Sequence, residues 1–285
     1  ASGVIEELGP GVDGWSVGDR VTFDSTVYCG SCRFCRKGMV NLCDNRRVLG
    51  VSCDEYRMDG AFAEYVTVPS RILYALPEGL SFERAALVEP LSIAMHAVAR
   101  AGIEQGETTV VFGAGLIGLF IIQVLRVSGC GSIYAVDIDA GRLELARGCG
   151  ADVTIDPAGC DAVAMIREET GGHGVDAAFE AVGIPQTVDA SVRALRKGGR
   201  VSLVGNLTPE TPLALQRVVA WELTLLGSCA SAGEYPVCLD LLTGGDIDTG
   251  PLLSAVAPLD EGPSWFRRLH DGESGLRKVV LRPGK

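Results

Sequence analysis

The chain has 285 residues, 47% of them apolar and 21% charged, enough for two domains with sizeable cores. Lys and Arg total 25 against 36 Asp and Glu, a formal charge of -11, which argues against a nucleic-acid binder and against docking on anionic lipid, since both need a basic face. No signal peptide opens the chain, and its longest apolar stretch, residues 110–122, carries three glycines and is too short and broken to span a bilayer.

The first residues, Ala1-Ser2-Gly3-Val4-Ile5-Glu6-Glu7-Leu8-Gly9, read as the inside of a strand and its turn, and the expectation is that a segment precedes them. Residues 2–7, 20–23 and 61–68 are strand candidates separated by Gly, Pro and Asp turns. From about Thr108 the texture changes. Strand-like runs at 108–112, 132–136, 153–155, 175–180, 200–204 and 222–226 alternate with helix-like segments at 116–127, 141–149, 161–169 and 185–195. That alternation predicts a doubly wound parallel α/β sheet with helices on both faces. One more helix at 235–242 and two short strands complete the pattern.

Cys29, Cys32, Cys35 and Cys43 supply four thiolates within one loop, 29–43, while the other six cysteines are scattered. Four sulfurs at this spacing suit a tetrahedral zinc, and a site filled by Cys alone is structural. A ferredoxin-type cluster would place its fourth Cys three residues on, with Pro behind it; here the gap is seven and Asp44 follows. Dithiol redox chemistry needs only two of the four, and the charge disfavours a nucleic-acid zinc ribbon. A tight thiol cluster without a secretion signal points to a reducing, cytoplasmic compartment. Cys53, Cys130, Cys149, Cys160, Cys229 and Cys238 read as small buried hydrophobes.

Thr109-Val110-Val111-Phe112 runs into Gly113-Ala114-Gly115-Leu116-Ile117-Gly118 and then an apolar helix. The first glycine makes the turn, the second admits a pyrophosphate, and the third lets helix and strand pack closely. The helix N-terminus offers N–H groups to the phosphates. Asp137, nineteen residues past Gly118, ends the next strand. There it can accept from a ribose 2′-OH and repel a 2′-phosphate, which favours NAD over NADP. Arg142 is suited to stacking on adenine or touching a phosphate, and equally to being an exposed helix charge.

Taken together, Gly18-Asp19-Arg20-Val21, the cysteine loop, Asp59-Gly60-Ala61-Phe62-Ala63-Glu64-Tyr65, Glu89-Pro90-Leu91-Ser92 and the glycine turn resemble the zinc-containing medium-chain dehydrogenase/reductase family along the whole chain. The Glu-Pro-Leu-Ser run with Ala94-Met95-His96-Ala97 looks most like its polyol branch, such as sorbitol dehydrogenase. The resemblance implies a β-rich GroES-like catalytic domain from both chain ends (1–92 and 231–285) and an inserted Rossmann domain (93–230). It implies hydride transfer between a small-molecule alcohol or polyol and NAD at a catalytic zinc, in a homodimer or homotetramer. Glu89 would stand beside that zinc, bonded to it directly or through water. By itself Glu89 reads as a first-turn helix acid with Pro90 at the first helical position. Ile117, Asp137 and Arg142 match the family's dinucleotide contacts. So do Val204, Gly205 and Asn206 at a strand end, and Ser228, Cys229 and Ala230 after the last strand. Val182 and Gly183 would line the nicotinamide side.

The family's other catalytic ligands, a Cys and a His-Glu pair, belong to motifs expected upstream of Ala1. None of His96, His173 and His270 replaces them by motif, so the chain as it stands is expected to bind NAD without oxidising alcohols. Ala230 and Ser231 stand where sorbitol dehydrogenase has an Arg-Tyr pair, which puts sorbitol itself in doubt. The alternatives are a threonine-type amino-alcohol or sugar-alcohol-phosphate dehydrogenase, or a non-catalytic NAD-binding zinc protein.

Overall fold

Six strands run parallel in one sheet in the computed structural model, which describes residues 1–51 and 53–284. They alternate with helices: β1 (Thr109–Phe112), α1 (Leu116–Val127), β2 (Ile133–Val136), α2 (Ala140–Gly148), β3 (Val153–Ile155), α3 (Ala162–Glu169), β4 (Val175–Glu180), α4 (Pro185–Ala194), β5 (Leu195–Leu203), α5 (Leu215–Ala220) and β6 (Thr224–Gly227). Across the sheet the order is β6-β5-β4-β1-β2-β3, the Rossmann arrangement, and it reverses between β1 and β4. Successive side chains on a strand point to opposite faces. Every residue of β1 and β2 is buried, so both faces are covered. Leu119 to Leu125 of α1 are buried too, and Phe179 in β4 is fully enclosed.

Local chemistry sets the ends of these elements. Asp139 and Asp161 cap α2 and α3, accepting from the N–H groups of Arg142 and Ala164. Pro185 occupies the first turn of α4, where its missing N–H costs nothing. β5 starts at Leu195, five residues before the expected position, because Leu195 pairs with Val175 ahead of a register shift. The short helix α5 is not foreseen by the apolar pattern, since Leu215 and Val219 are exposed.

The chain divides into two units, Ile93–Cys229 with this sheet, and Ala1–Ser92 together with Ala230–Lys285. Within the second of these, Arg20–Phe23 pairs antiparallel with Ser2–Val4 and with Leu73–Ala75. Thr26–Val27, Arg47–Leu49 and Arg57–Met58 form another small sheet, and Leu253–Pro258 pairs with Lys278–Arg282 in parallel. The returning segment is fastened to the first by specific bonds. Tyr235 is fully buried, donates to the Phe23 carbonyl at 3.2 Å and stacks on Tyr74 with ring centroids 4.7 Å apart. Ser231 Oγ donates to buried Asp24 at 3.2 Å, and Arg282 pairs with Glu83.

Four expectations need correction. Residues 61–68 form no strand: Phe62 and Tyr65 are 65% and 73% exposed, and no described strand pairs with the segment. The strand expected at 2–7 ends at Val4. Pro90 is the third residue of the helix Val88–Ala101, not the first; its missing N–H is still among the groups a first turn leaves unbonded. Of the scattered cysteines, Cys130 and Cys238 are buried and Cys149 half-buried, but Cys53, Cys160 and Cys229 are exposed. The helix Gly262–His270 is also unforeseen.

Phe179→Ala is expected to lower stability by about 3–5 kcal/mol, because the cavity lies between covered sheet faces that relax little. A urea titration followed by circular dichroism checks this; an unchanged midpoint would contradict the packing described.

Candidate functional site

Phe112 ends β1, and the chain turns at Gly113 with φ +93°, a conformation open to glycine at little cost. A Cβ there would lie 2.5 Å from the Val182 side chain. Gly118 stands in the first turn of α1, where a Cβ would overlap the Gly113 carbonyl oxygen, so helix and strand approach only because it has none. Gly115 is the N-cap of α1 and has no side chain to bond the first N–H groups. Nothing lies within 4 Å of where its Cβ would be. That empty space beside unbonded N–H groups at Leu116 and Ile117 fits a pyrophosphate.

Asp137 follows β2 with its side chain 5% exposed. Its Oδ2 accepts from the Ala114 N–H at 2.7 Å and its Oδ1 from the Asp139 N–H at 2.9 Å. A carboxylate offers about four lone-pair sites, which leaves room for a ribose hydroxyl. Arg142, half-exposed on α2, lies 3.7 Å from Asp137.

The loops after β4 and β5 carry the remaining dinucleotide candidates. Gly183 is buried with φ +86°, and a Cβ on it would overlap the Gly205 and Asn206 backbone. A Cβ on Gly205 would in turn overlap Val182 and Gly183. The structure thus brings Gly113, Val182, Gly183, Val204, Gly205 and Asn206 together at the carboxyl ends of adjacent strands. Ser228 follows β6, and its N–H donates to Leu203 O at 2.9 Å. Its buried hydroxyl finds no partner, an open polar position at this end of the sheet. Cys229 is exposed, and Ala230 takes a φ of +53° at the start of the returning segment.

Sequence reasoning passed over Glu180. It closes β4 with no exposed surface, and its carboxylate accepts from Val182 N–H at 3.0 Å, Gly183 N–H at 2.9 Å and the Thr187 hydroxyl at 2.6 Å. The signal was an acid directly after the apolar run Ala177-Ala178-Phe179 at the strand's end.

Cys29, Cys32, Cys35 and Cys43 place their sulfurs within 4.8 Å of one another. Cys32 and Cys35 sulfurs are 3.5 Å apart and those of Cys29 and Cys35 4.0 Å, close to the edge of a zinc–sulfur tetrahedron. Backbone N–H groups point at the sulfurs: Cys29 to Cys43 at 3.2 Å, Cys32 to Cys29 at 3.3 Å, Asn45 to Cys43 at 3.4 Å. The Ser31 N–H and hydroxyl and the Cys32 N–H pull the Cys29 thiol down to about 5. Burial, then the neighbouring Cys32 sulfur, pushes Cys35 up to about 12. Four sulfurs this close suit a divalent cation, which draws thiols into the thiolate form that binds it.

Glu89 is the second residue of the helix Val88–Ala101 and is partly buried. Burial raises its carboxyl above the usual range, with Lys278 opposing and Asp24 adding to the effect. Among the described residues, the four cysteines are the one group of three or more His, Cys, Asp or Glu close enough to share a metal. Glu89, His96, His173 and His270 lie outside it, so the described residues do not build a second zinc site around Glu89.

Residues 1–78 match the alcohol dehydrogenase GroES-like domain and residues 117–244 the zinc-binding dehydrogenase family. Sorbitol dehydrogenase of Bacillus subtilis (strain 168) is 32% identical over 285 residues, covering 100% of this chain and 80% of that protein. L-idonate 5-dehydrogenase of Vitis vinifera is 34% identical over 257 residues, 89% of this chain and 69% of that one. Among solved structures, a zinc-binding dehydrogenase from Sinorhizobium meliloti 1021 bound to NADP superposes with a TM-score of 0.89 at 32% identity, covering 99% of this chain and 82% of that one. A short chain alcohol dehydrogenase from E. coli CFT073 complexed with NADH gives a TM-score of 0.91 at 29% identity, covering 98% and 81%.

The protein is expected to keep about one zinc per chain through dialysis, and the double substitution Cys32→Ser, Cys35→Ser to lose it. Elemental analysis decides; zinc undiminished in the double variant would remove the cysteine loop as its site.

Proposed function

The chain belongs to the zinc-binding dehydrogenases that carry a GroES-like domain, and from that membership we propose that it moves a hydride between NAD and a polyol or other secondary alcohol, interconverting alcohol and ketone. One observation carries the cofactor half of this reading: the glycine turn, Asp137 and the loops after β4 and β5 meet where the strand order reverses. The substrate half rests on likeness to a sorbitol and an idonate dehydrogenase.

In this reading the first N–H groups of α1, at Leu116 and Ile117, hold the pyrophosphate, with Gly113, Gly115 and Gly118 making the space. Asp137 accepts from the adenosine ribose, and Arg142 stays beside it as a partner on the adenine side. Val182 and Gly183 line the nicotinamide side, and Val204, Gly205, Asn206, Ser228 and Cys229 supply further contacts to the dinucleotide. When bound, NAD supplies the hydride acceptor at its nicotinamide ring. Glu89, a carboxyl that burial makes a weaker acid, is assigned the proton of the alcohol. The family's catalytic zinc is given no step, because the described residues offer Glu89 no second ligand.

Cys29, Cys32, Cys35 and Cys43 hold a structural zinc, in a compartment reducing enough to keep thiols free, for which we name the cytoplasm. Among the described residues no helix is long and apolar enough to cross a membrane. A homodimer or homotetramer is supported by β6, which ends the sheet with one edge unpaired among the described residues, and by exposed Leu213, Leu215 and Val219 just before it.

Asp137 sets the cofactor prediction. NADH should bind at least about tenfold more tightly than NADPH, since a buried carboxylate already held by two N–H groups repels a 2′-phosphate. Asp137→Ala should narrow the gap. Calorimetry with both cofactors measures this, and equal affinities would refute the assignment. For the substrate class, the protein should reduce NAD with polyols or 2,3-diols in preference to amino alcohols; the reverse preference would overturn it.

A further inference from the structure

We propose that Glu180 is a positioning residue for the nicotinamide half of the cofactor: its buried carboxylate fixes the β4 loop before the cofactor arrives. The proposal rests on the NAD-binding reading above and deepens it.

Glu180 has no exposed surface, so it touches no ligand itself. Burying a carboxylate is costly unless donors surround it. Here they come from one short stretch. Val182 N–H reaches Oε1 at 3.0 Å, Gly183 N–H reaches Oε1 and Oε2 at 2.9 and 3.0 Å, and the Thr187 hydroxyl on α4 reaches Oε1 at 2.6 Å. The side chain therefore folds the residues that follow it around its own charge. Its backbone does the same for the next loop: the Glu180 carbonyl accepts from Val204 N–H at 2.9 Å and Gly205 N–H at 3.0 Å. Thr208 closes the arrangement, its N–H and hydroxyl both donating to the Gly183 carbonyl at 2.9 Å.

Both polar groups of the Gly183 backbone are thus spent inside the protein, and the Val182 N–H is spent too. Those three groups are engaged within the protein before any ligand arrives. What remains is a preset wall, with the half-buried Val182 side chain packed over Gly113 of the pyrophosphate turn. A wall fixed in advance spares the cofactor the ordering of a loop on binding. The same fixing should matter little for the adenosine and phosphate portion, which is served by Asp137 and the start of α1.

Glu180→Gln keeps size and shape but turns an amide N–H₂ toward backbone N–H donors. Thr187→Val removes one donor and leaves every backbone bond in place. The test is binding of two probes to the whole protein: NADH by fluorescence titration and ADP-ribose, which lacks the nicotinamide, by calorimetry. Glu180→Gln should weaken NADH by about tenfold and Thr187→Val by about threefold, with ADP-ribose unchanged within about twofold in both. Blue-shifting of bound NADH fluorescence should shrink in parallel. Equal loss of both probes means that Glu180 merely supports the fold and overturns the proposal; so does unchanged NADH affinity in either variant. If Glu180→Gln does not fold, Thr187→Val decides alone. A wild-type protein that binds neither probe overturns the cofactor reading itself, and the proposal with it; wild-type binding of both without discrimination by the variants overturns the proposal only.

Discussion

Parallel strands lie roughly 4.8 Å apart, so the loops leaving their carboxyl ends have almost no room for side chains where they cross. In this protein that constraint governs the dinucleotide end of the sheet. Gly113 touches Val182, and Gly183 touches Gly205, each contact made backbone against side chain or backbone against backbone. Three glycines at three successive loops are what allow the β1, β4 and β5 ends to stand side by side. The crevice and the N–H groups at the head of α1 follow from that closeness, and so does the reach of Asp137 to Ala114 across neighbouring strands.

The unit made from both chain ends answers to a different constraint. Its sheets are short, and of residues 29–51 only Asn41 and Cys43 are buried. A segment with so little apolar surface to bury does not hold its shape by packing. On the proposed zinc assignment, metal–sulfur bonds would supply the fixing that a core would otherwise give, and the backbone N–H groups aimed at the sulfurs would spread the negative charge of the thiolates.

Much of this was readable before any coordinates. Central strands buried on both faces read as apolar runs, and the six strands of the large sheet were visible in the alternation, most within a residue or two of their observed ends; β5 begins five residues early, through the polar stretch Arg196–Gly199. The glycine turn was visible because each glycine answers a steric demand in one local segment, and the cysteine loop because its ligands sit close in sequence. What escaped notice depended on distant partners. Residues 61–68 have the composition of a strand, but among the described residues no strand pairs with them. Leu215–Ala220 turns hydrophobic residues outward, which hides its period. Exposed Cys53, Cys160 and Cys229 break a composition rule that holds only on average. Glu180 drew no separate reading from the sequence; its complete burial and its ring of donors are what distinguish it.

The divided unit has a consequence for biosynthesis. Tyr235 and Ser231 bond to Phe23 and Asp24 across 212 and 207 residues of chain. Residues 1–92 emerge from the ribosome without the helix Tyr235–Gly244, whose Tyr235 packs on Tyr74, and must wait while the whole parallel-sheet unit is translated. At ordinary elongation speeds that interval is about 7–30 s, long against the folding time of most small domains. The inserted unit, contiguous in the chain, is then the first able to fold as a whole. During the wait the N-terminal strands stand with unsatisfied edges, a hazard for aggregation that early metal capture by the cysteine loop would reduce.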